Sequence, residues 1–173
     1  ISRLDAAARA MGANAADMDA MRPWLAGVTV QSAPIINAGY AVDSGVEPIL
    51  TARAEAAGMT VSGFETPDEQ IRMLAGFPEE GQLAYLRRAL DEFGKAPVQI
   101  DRMVEAWAAG DVDTVRAISV DPLRATPLLY EALLVRRNTN WADQIETLLE
   151  GSGTVFIAVG ALHLAGDDSV QAV

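Results

Sequence analysis

The sequence predicts a helix-rich α/β fold, a few-stranded sheet with helices packed around it, and three observations lead there. Alanine fills 31 of 173 positions and arginine twelve of the thirteen basic ones, Lys95 being the one lysine, a composition that favours helix on intrinsic propensity. Helix start signals recur along the chain, with glycines as stops. Against that background Thr60-Val61-Ser62-Gly63-Phe64 and Thr154-Val155-Phe156-Ile157-Ala158-Val159 are apolar, β-branched runs that read as strands.

Ser2 followed by Asp5 reads as the start of a helix that reaches about Met11 and ends at Gly12, and Asn14 opens a second, short one. From Pro23 a helix is favoured over a strand because no period-2 alternation persists, with Trp24, Leu25, Val28 and Ile35 on its face. Ser44, Glu47 and Pro48 begin another, which places Ile49, Leu50 and Ala54 on one face and stops at Gly58. After the first strand run, Thr66-Pro67-Asp68-Glu69 combines a threonine N-cap, proline at the first helical position and glutamate at the third. Leu83, Leu86 and Leu90 mark a helix from about Glu79 to Phe93, which Gly94 breaks.

Val98, Met103, Val104 and Trp107 define the next helix, before Gly110-Asp111. Asp111, Asp121-Pro122 and Thr126-Pro127 are three further starts in quick succession. Leu128 to about Asn138 and Trp141 to Leu149 read as an antiparallel or angled helix pair around Arg136-Arg137-Asn138. Gly151-Ser152-Gly153 is a loop, and the run Thr154 to Val159 suits a strand covered on both faces. Asp167, Asp168 and Ser169 look like the cap of a final helix from about Val170. Two strands are too few for an independent sheet, so this fold needs strands from elsewhere.

Composition excludes several chemistries. The chain has no cysteine and one histidine, so a disulfide framework, a Cys-ligated metal and a cysteine nucleophile are ruled out, as is a two-histidine metal site built from this chain alone. Thirteen Lys and Arg against 24 Asp and Glu leave a formal charge of −11, which argues against a nucleic-acid partner. At 50% hydrophobic and 21% charged it is a globular composition, and one domain over residues 1–173 is the default. The uncharged stretch Pro23 to Val42 does not read as a membrane span, because Gln31, Ser32, Pro34, Asn37 and Gly39 interrupt it. Ile1-Ser2-Arg3-Leu4, without an initiator methionine or an apolar signal core, reads as a chain that begins part-way through a gene product.

Three candidates for chemistry remain. His163 follows the strand run Thr154 to Val159, where ligands bind in open α/β sheets; the alternative is a histidine that bonds a backbone carbonyl under a loop. Glu65 follows the other run, so parallel strands would bring a carboxylate and an imidazole to one edge to share a metal or a proton; equally, Glu65 suits the dipole of the helix after it. In Arg136-Arg137-Asn138 a guanidinium can clamp a carboxylate or steady an oxyanion, or simply make surface ion pairs. Asp167 and Asp168 can cap a helix or add oxygens to a metal shell near His163, and Trp24, Trp107 and Trp141 read as core or core-edge aromatics. No phosphate loop, G-x-S-x-G elbow or H-E-x-x-H helix is present, which leaves Ser62 and Ser169 unsupported as nucleophiles.

Gly39-Tyr40 leading into Gly45-Val46-Glu47, Gly63-Phe64-Glu65-Thr66-Pro67-Asp68-Glu69-Gln70, Trp107-Ala108-Ala109-Gly110-Asp111, Arg137-Asn138 and Val159-Gly160-Ala161-Leu162-His163-Leu164-Ala165-Gly166 together resemble the TraB/GumN family, also called Tiki-like, in the family's order. The resemblance implies an α/β fold related to the erythromycin-esterase and haem-uptake ChaN-like group, and a metal-dependent hydrolase site made of two G-x-x-H motifs and a central glutamate. Gly160 to His163 matches the second G-x-x-H and Glu65 the glutamate, while Glu47 stands where aspartate is expected. The first G-x-x-H is missing, so the chain reads as the C-terminal part of the domain, a fragment lacking its N-terminal strand region. The function implied is a metal-dependent, peptidase-like hydrolase acting on a peptide or protein. In it His163 and Glu65 bind a divalent ion (Mn, Co or Zn), Glu65 being a ligand or general base, and Arg137 stabilises the oxyanion. The alternative is a non-catalytic protein whose crevice holds a peptide, polysaccharide or haem-like ligand. An extracytoplasmic, periplasmic address follows from the exported look of most bacterial GumN-like proteins, and a homodimer would compensate for missing strands.

Overall fold

In a computed structural model the chain is helical over 70% of its length, and among the described residues it contains no strand. The structure describes residues 2–173, with the side chains of Ser2 and Val42 outside the description, so the expected Ser2 cap falls beyond it. The expectation of a few-stranded sheet with helices around it is therefore overturned. Both runs read as strands belong to no ladder among the described residues, and Val61, Val155, Phe156 and Ile157 are exposed. β-branched composition favours a pleated conformation only where a neighbouring strand takes up the N–H and C=O groups, and neither run has one among the described residues.

The chain divides into two compact units, residues 1–100 and 101–173. The first holds α1 (Ser2–Ala10), α2 (Ala15–Asp19), α3 (Pro23–Asn37), α4 (Val46–Ala56), α5 (Pro67–Ala75) and α6 (Glu79–Phe93), and the boundary falls within α7 (Ala96–Ala109). Leu4, Ala7 and Ala8 of α1, Met18 of α2, Ala26 and Val30 of α3 and Ala89 of α6 form its buried core, with Leu86, Leu90 and Phe93 packed against it. The helix expected from Pro23 is present, but its buried face is Ala26, Gly27, Val30 and Pro34, whereas Leu25 and Ile35 are exposed. Small residues win that face because α3 lies close on α6: a Cβ on Gly27 would stand 2.6 Å from Tyr85 Cδ1. Beside that contact the Tyr85 hydroxyl donates to Gln31 Oε1 at 2.6 Å.

Local signals worked where the backbone alone decides. Thr66 caps α5 through a reciprocal box: its Oγ1 accepts from Glu69 N–H at 3.2 Å, and Glu69 Oε2 accepts from Thr66 N–H at 2.7 Å. The bond from the Thr66 N–H first, then one from the Thr66 hydroxyl to Glu69 Oε2 at 2.9 Å, hold the Glu69 carboxyl below its ordinary value. Asn14 and Asp111 likewise cap the helices that follow them.

The second unit contains the rest of α7, then α8 (Val112–Val115), α9 (Asp121–Arg124), α10 (Pro127–Tyr130) and α11 (Arg136–Leu149). A π turn, Arg116–Val120, joins α8 to α9, and another, Glu131–Val135, joins α10 to α11. Its core is Ala106, Val115, Val120, Leu134 and Ala165, flanked by Met103, Tyr130, Ala161 and Leu162. The expected helix pair around Arg136-Arg137-Asn138 is instead one continuous helical path from Pro127 to Leu149, because nothing in that tripeptide breaks a helix. Trp107, expected in the core or at its edge, is 53% exposed. No final helix forms from Val170: residues 167–172 are turns closed by bonds such as Ala172 N–H to Ser169 carbonyl at 2.9 Å.

Replacing Gly27 with valine is expected to lower the unfolding free energy by about 1–3 kcal/mol, the usual range for an overpacked contact. A urea midpoint for Gly27→Val equal to that of the parent protein would show that α3 and α6 are not in close packing.

Candidate functional site

The second unit brings together a polar cluster that the π turn makes possible. An α-helix returns a face every three or four residues, but the Glu131–Val135 turn inserts one more, so Leu129 and Leu134, five apart, are both fully buried. From Leu134 the same face continues at ordinary spacing through Asn138 and Trp141, both buried. Arg136 falls outside this face and pairs with Glu131 at 3.6 Å, the surface role its charge suggested. Arg137 lies beside the face, its guanidinium 4.8 Å from the centre of the Trp141 ring and its Nη1 donating to the Leu133 carbonyl at 3.3 Å.

His163 comes to this face from the other end of the unit. It sits on a 3₁₀ turn, Ala161–Leu164, in which its N–H donates to the Gly160 carbonyl at 2.9 Å. Its carbonyl accepts from Val170 N–H at 2.9 Å, so the turn is tied to the C-terminal segment. Gly166, at φ +92°, supplies the left-handed corner between them, which a side chain would strain. The imidazole is 5% exposed and packs on Trp141, with ring centres 4.4 Å apart and planes tilted by 43°. Nδ1 lies 2.6 Å from Asn138 Oδ1, and Nε2 lies 3.5 Å from Arg137 Nη1. Asn138 in turn donates through Nδ2 to the Asp168 carbonyl at 2.5 Å.

A second layer of contacts surrounds the Asp168 side chain. Tyr130 donates its hydroxyl to Asp168 Oδ2, and Arg124 reaches the same oxygen at 3.3 Å while its guanidinium carbon lies 5.2 Å from the Tyr130 ring centre. Burial first, then the hydrogen bond to Asp168 and that residue's charge, push the Tyr130 phenol above its ordinary value, with Arg124 opposing. Asp168 thus anchors the C-terminal turns, where the sequence suggested a helix cap or a metal ligand.

Of the expected site residues, the structure joins Arg137 and His163 in the second unit. Glu65 belongs to the first, in the loop before α5, where it accepts a hydrogen bond from Gln70 Nε2 at 3.2 Å. Asn138 and Trp141 are the functional-site residues that sequence reasoning undervalued. The signal was available, since positions 137, 138 and 141 share one side of a helix at three- and four-residue spacing.

The resemblance implies a divalent ion, and the donors present do not fit one. Nε2 of His163 lies 3.5 Å from a guanidinium nitrogen, and among the described residues no three His, Asp or Glu side chains gather as a ligand set. Nor is any helix among them long and apolar enough to cross a membrane.

Comparisons with known proteins bear on the chain as a whole. The sequence model described as the TraB/PrgY/gumN family matches residues 1–173. That match spans the whole chain, so the expectation that it holds only the C-terminal part of the family's domain is not borne out. "Uncharacterized protein YbaP" of Escherichia coli (strain K12) is 26% identical over 147 residues, covering 85% of this chain and 54% of that protein. "Coproporphyrinogen III oxidase" of Mycobacterium tuberculosis (strain ATCC 25618 / H37Rv) is 29% identical over 136 residues, covering 76% of this chain and 30% of that protein. The chain thus spans about half the length of the first of these relatives or less, and no solved structure matches it.

Tyr130 offers a pH test of the cluster. Because its folded value is raised, its contribution to stability is complete below the ordinary tyrosine value and is lost as the pH rises through the folded one. Ultraviolet titration of the parent protein minus Tyr130→Phe is expected to show one phenol ionising late, and less late in Asp168→Asn. An ordinary tyrosine value for that phenol would disprove the packing around Asp168.

Proposed function

The chain belongs to the TraB/PrgY/gumN family, and from that premise we propose that it is part of a hydrolase that acts on peptides or proteins, with His163 as its acid–base group. The observation that supports this reading is the buried imidazole held between Asn138, Trp141 and Arg137. Such a ring can take a proton from an attacking water and return it to a leaving amine, steps that a positioned histidine accelerates about 10²–10⁴-fold. The Arg137 guanidinium, already within 3.5 Å of Nε2, is placed to stabilise negative charge that develops on a carbonyl brought to the ring. Glu65 enters the proposal solely through its match to the family's glutamate. The peptide substrate and the extracytoplasmic address of the proposal rest on the resemblance set out in the sequence analysis.

A second reading has one observation in its favour. The alignment with a protein named coproporphyrinogen III oxidase favours a tetrapyrrole, haem-like ligand.

Both readings meet in one set of measurements. Incubated with a mixed peptide library, with and without added Mn, Co or Zn ions, the protein is expected to yield new termini detectable by mass spectrometry. His163→Ala should slow their appearance about 10²–10⁴-fold, and Arg137→Ala and Glu65→Gln should slow it as well. Absence of cleavage in every arm, or cleavage indifferent to His163→Ala, would sink the hydrolase proposal. A Soret-band shift of added haemin that His163→Ala abolishes would favour the binding reading instead.

A further inference from the structure

We propose that Asn138 is a positioning residue that locks His163 in its Nδ1–H tautomer and so presents Nε2 as the lone-pair nitrogen of the site. Three contacts determine this. The Asp168 carbonyl can only accept, so the Asn138 group 2.5 Å from it is the amide NH₂, and Oδ1 is the atom turned to the ring. An amide oxygen can also only accept, so the imidazole nitrogen 2.6 Å away, Nδ1, carries the hydrogen. On the far side of the ring Arg137 offers donors and no acceptor, so Nε2 is the nitrogen that receives. The two neighbours are independent of each other in chemistry and demand the same proton placement.

That placement runs against the ring's own preference, because a histidine side chain in water favours the Nε2–H tautomer. Asn138 is able to impose the other form because its amide cannot turn. A flip would set its carbonyl against the Asp168 carbonyl and its NH₂ against Nδ1–H, leaving two buried clashes at a residue with no exposed surface. The Asp168 backbone is itself held in place by its side-chain bonds to Tyr130 and Arg124, so the chain of constraint runs from the C-terminal turn through Asn138 to the imidazole. The consequence for chemistry is directional. A proton accepted by the ring arrives at Nε2, on the side where Arg137 stands, and Nδ1 is closed to solvent and substrate alike. The functional meaning of this lock rests on the reading of His163 as the reacting imidazole, whereas the tautomer itself does not.

The chain contains a single histidine, so a long-range proton–nitrogen correlation spectrum of the nitrogen-15-labelled protein reports this ring alone. At pH ~9, well above the ordinary imidazole value, Nδ1 is expected in the protonated, pyrrole-like range and Nε2 in the unprotonated, pyridine-like range. In Asn138→Ala the order of the two should reverse as the ring returns to its aqueous preference. An Nε2–H ring in the parent protein overturns the proposal, and so does a folded Asn138→Ala that keeps the Nδ1–H form. Should Asn138→Ala fail to fold by circular dichroism, the parent spectrum decides alone. The expected tautomer in a protein that cleaves no peptide would count against the hydrolase reading and leave the lock standing.

Discussion

The second unit depends on one buried amide. Asn138 has no exposed surface and sits in the middle of a helix, where an asparagine is neither a strong helix former nor an apolar filler. Both ends of its side chain are satisfied by groups from the last residues of the chain, the Asp168 carbonyl and the His163 ring. A buried amide left with one end bare costs about 1–3 kcal/mol, so the helix and the C-terminal turns are coupled: neither can settle correctly unless the other is in register. The 3₁₀ turn that carries His163, the corner at Gly166 and the bonds around Asp168 all serve that register.

The π turn Glu131–Val135 is the geometric counterpart of this bond. In an uninterrupted α-helix Leu129 and Leu134 would be turned well apart, and burying both would pull Asn138 and Trp141 off the inner face. One added residue brings Leu129, Leu134, Asn138 and Trp141 into a common stripe. It also separates two adjacent arginines. Arg136 is left to a solvent-exposed pair with Glu131, while Arg137 lies across Trp141 against the imidazole. Nothing in the tripeptide Arg136-Arg137-Asn138 announces this division; it follows from the helix register set five residues upstream.

How much of this could be read in advance depended on the range of the interaction responsible. Caps at Asn14, Thr66 and Asp111 were legible because each is settled within a few residues by hydrogen-bonding chemistry. The G-x-x-H around His163 and the neighbouring Arg137 were legible as motifs, and the structure joins them through Asn138 and Trp141, whose part in the site is visible only once both ends of the unit are in place. The strands were misread because a strand is not a local object. Thr60 to Phe64 and Thr154 to Val159 have the composition of strands, yet a ladder needs a second chain segment, and among the described residues neither run has one. The same distinction explains the buried face of α3, where close approach to α6 selected Gly27 and Ala26 over the larger Leu25 and Ile35.

The one histidine of the chain therefore bears a more specific chemical reading than a metal ligand in waiting. Its Nδ1 is taken by an amide oxygen, and its Nε2 lies 3.5 Å from Arg137 Nη1, a group that donates and does not accept. In the hydrolase proposed above, a carbonyl oxygen brought to the ring would be attracted by the guanidinium while the ring handles the proton. The side of the ring on which that proton is handled is marked by Arg137 and fixed by Asn138.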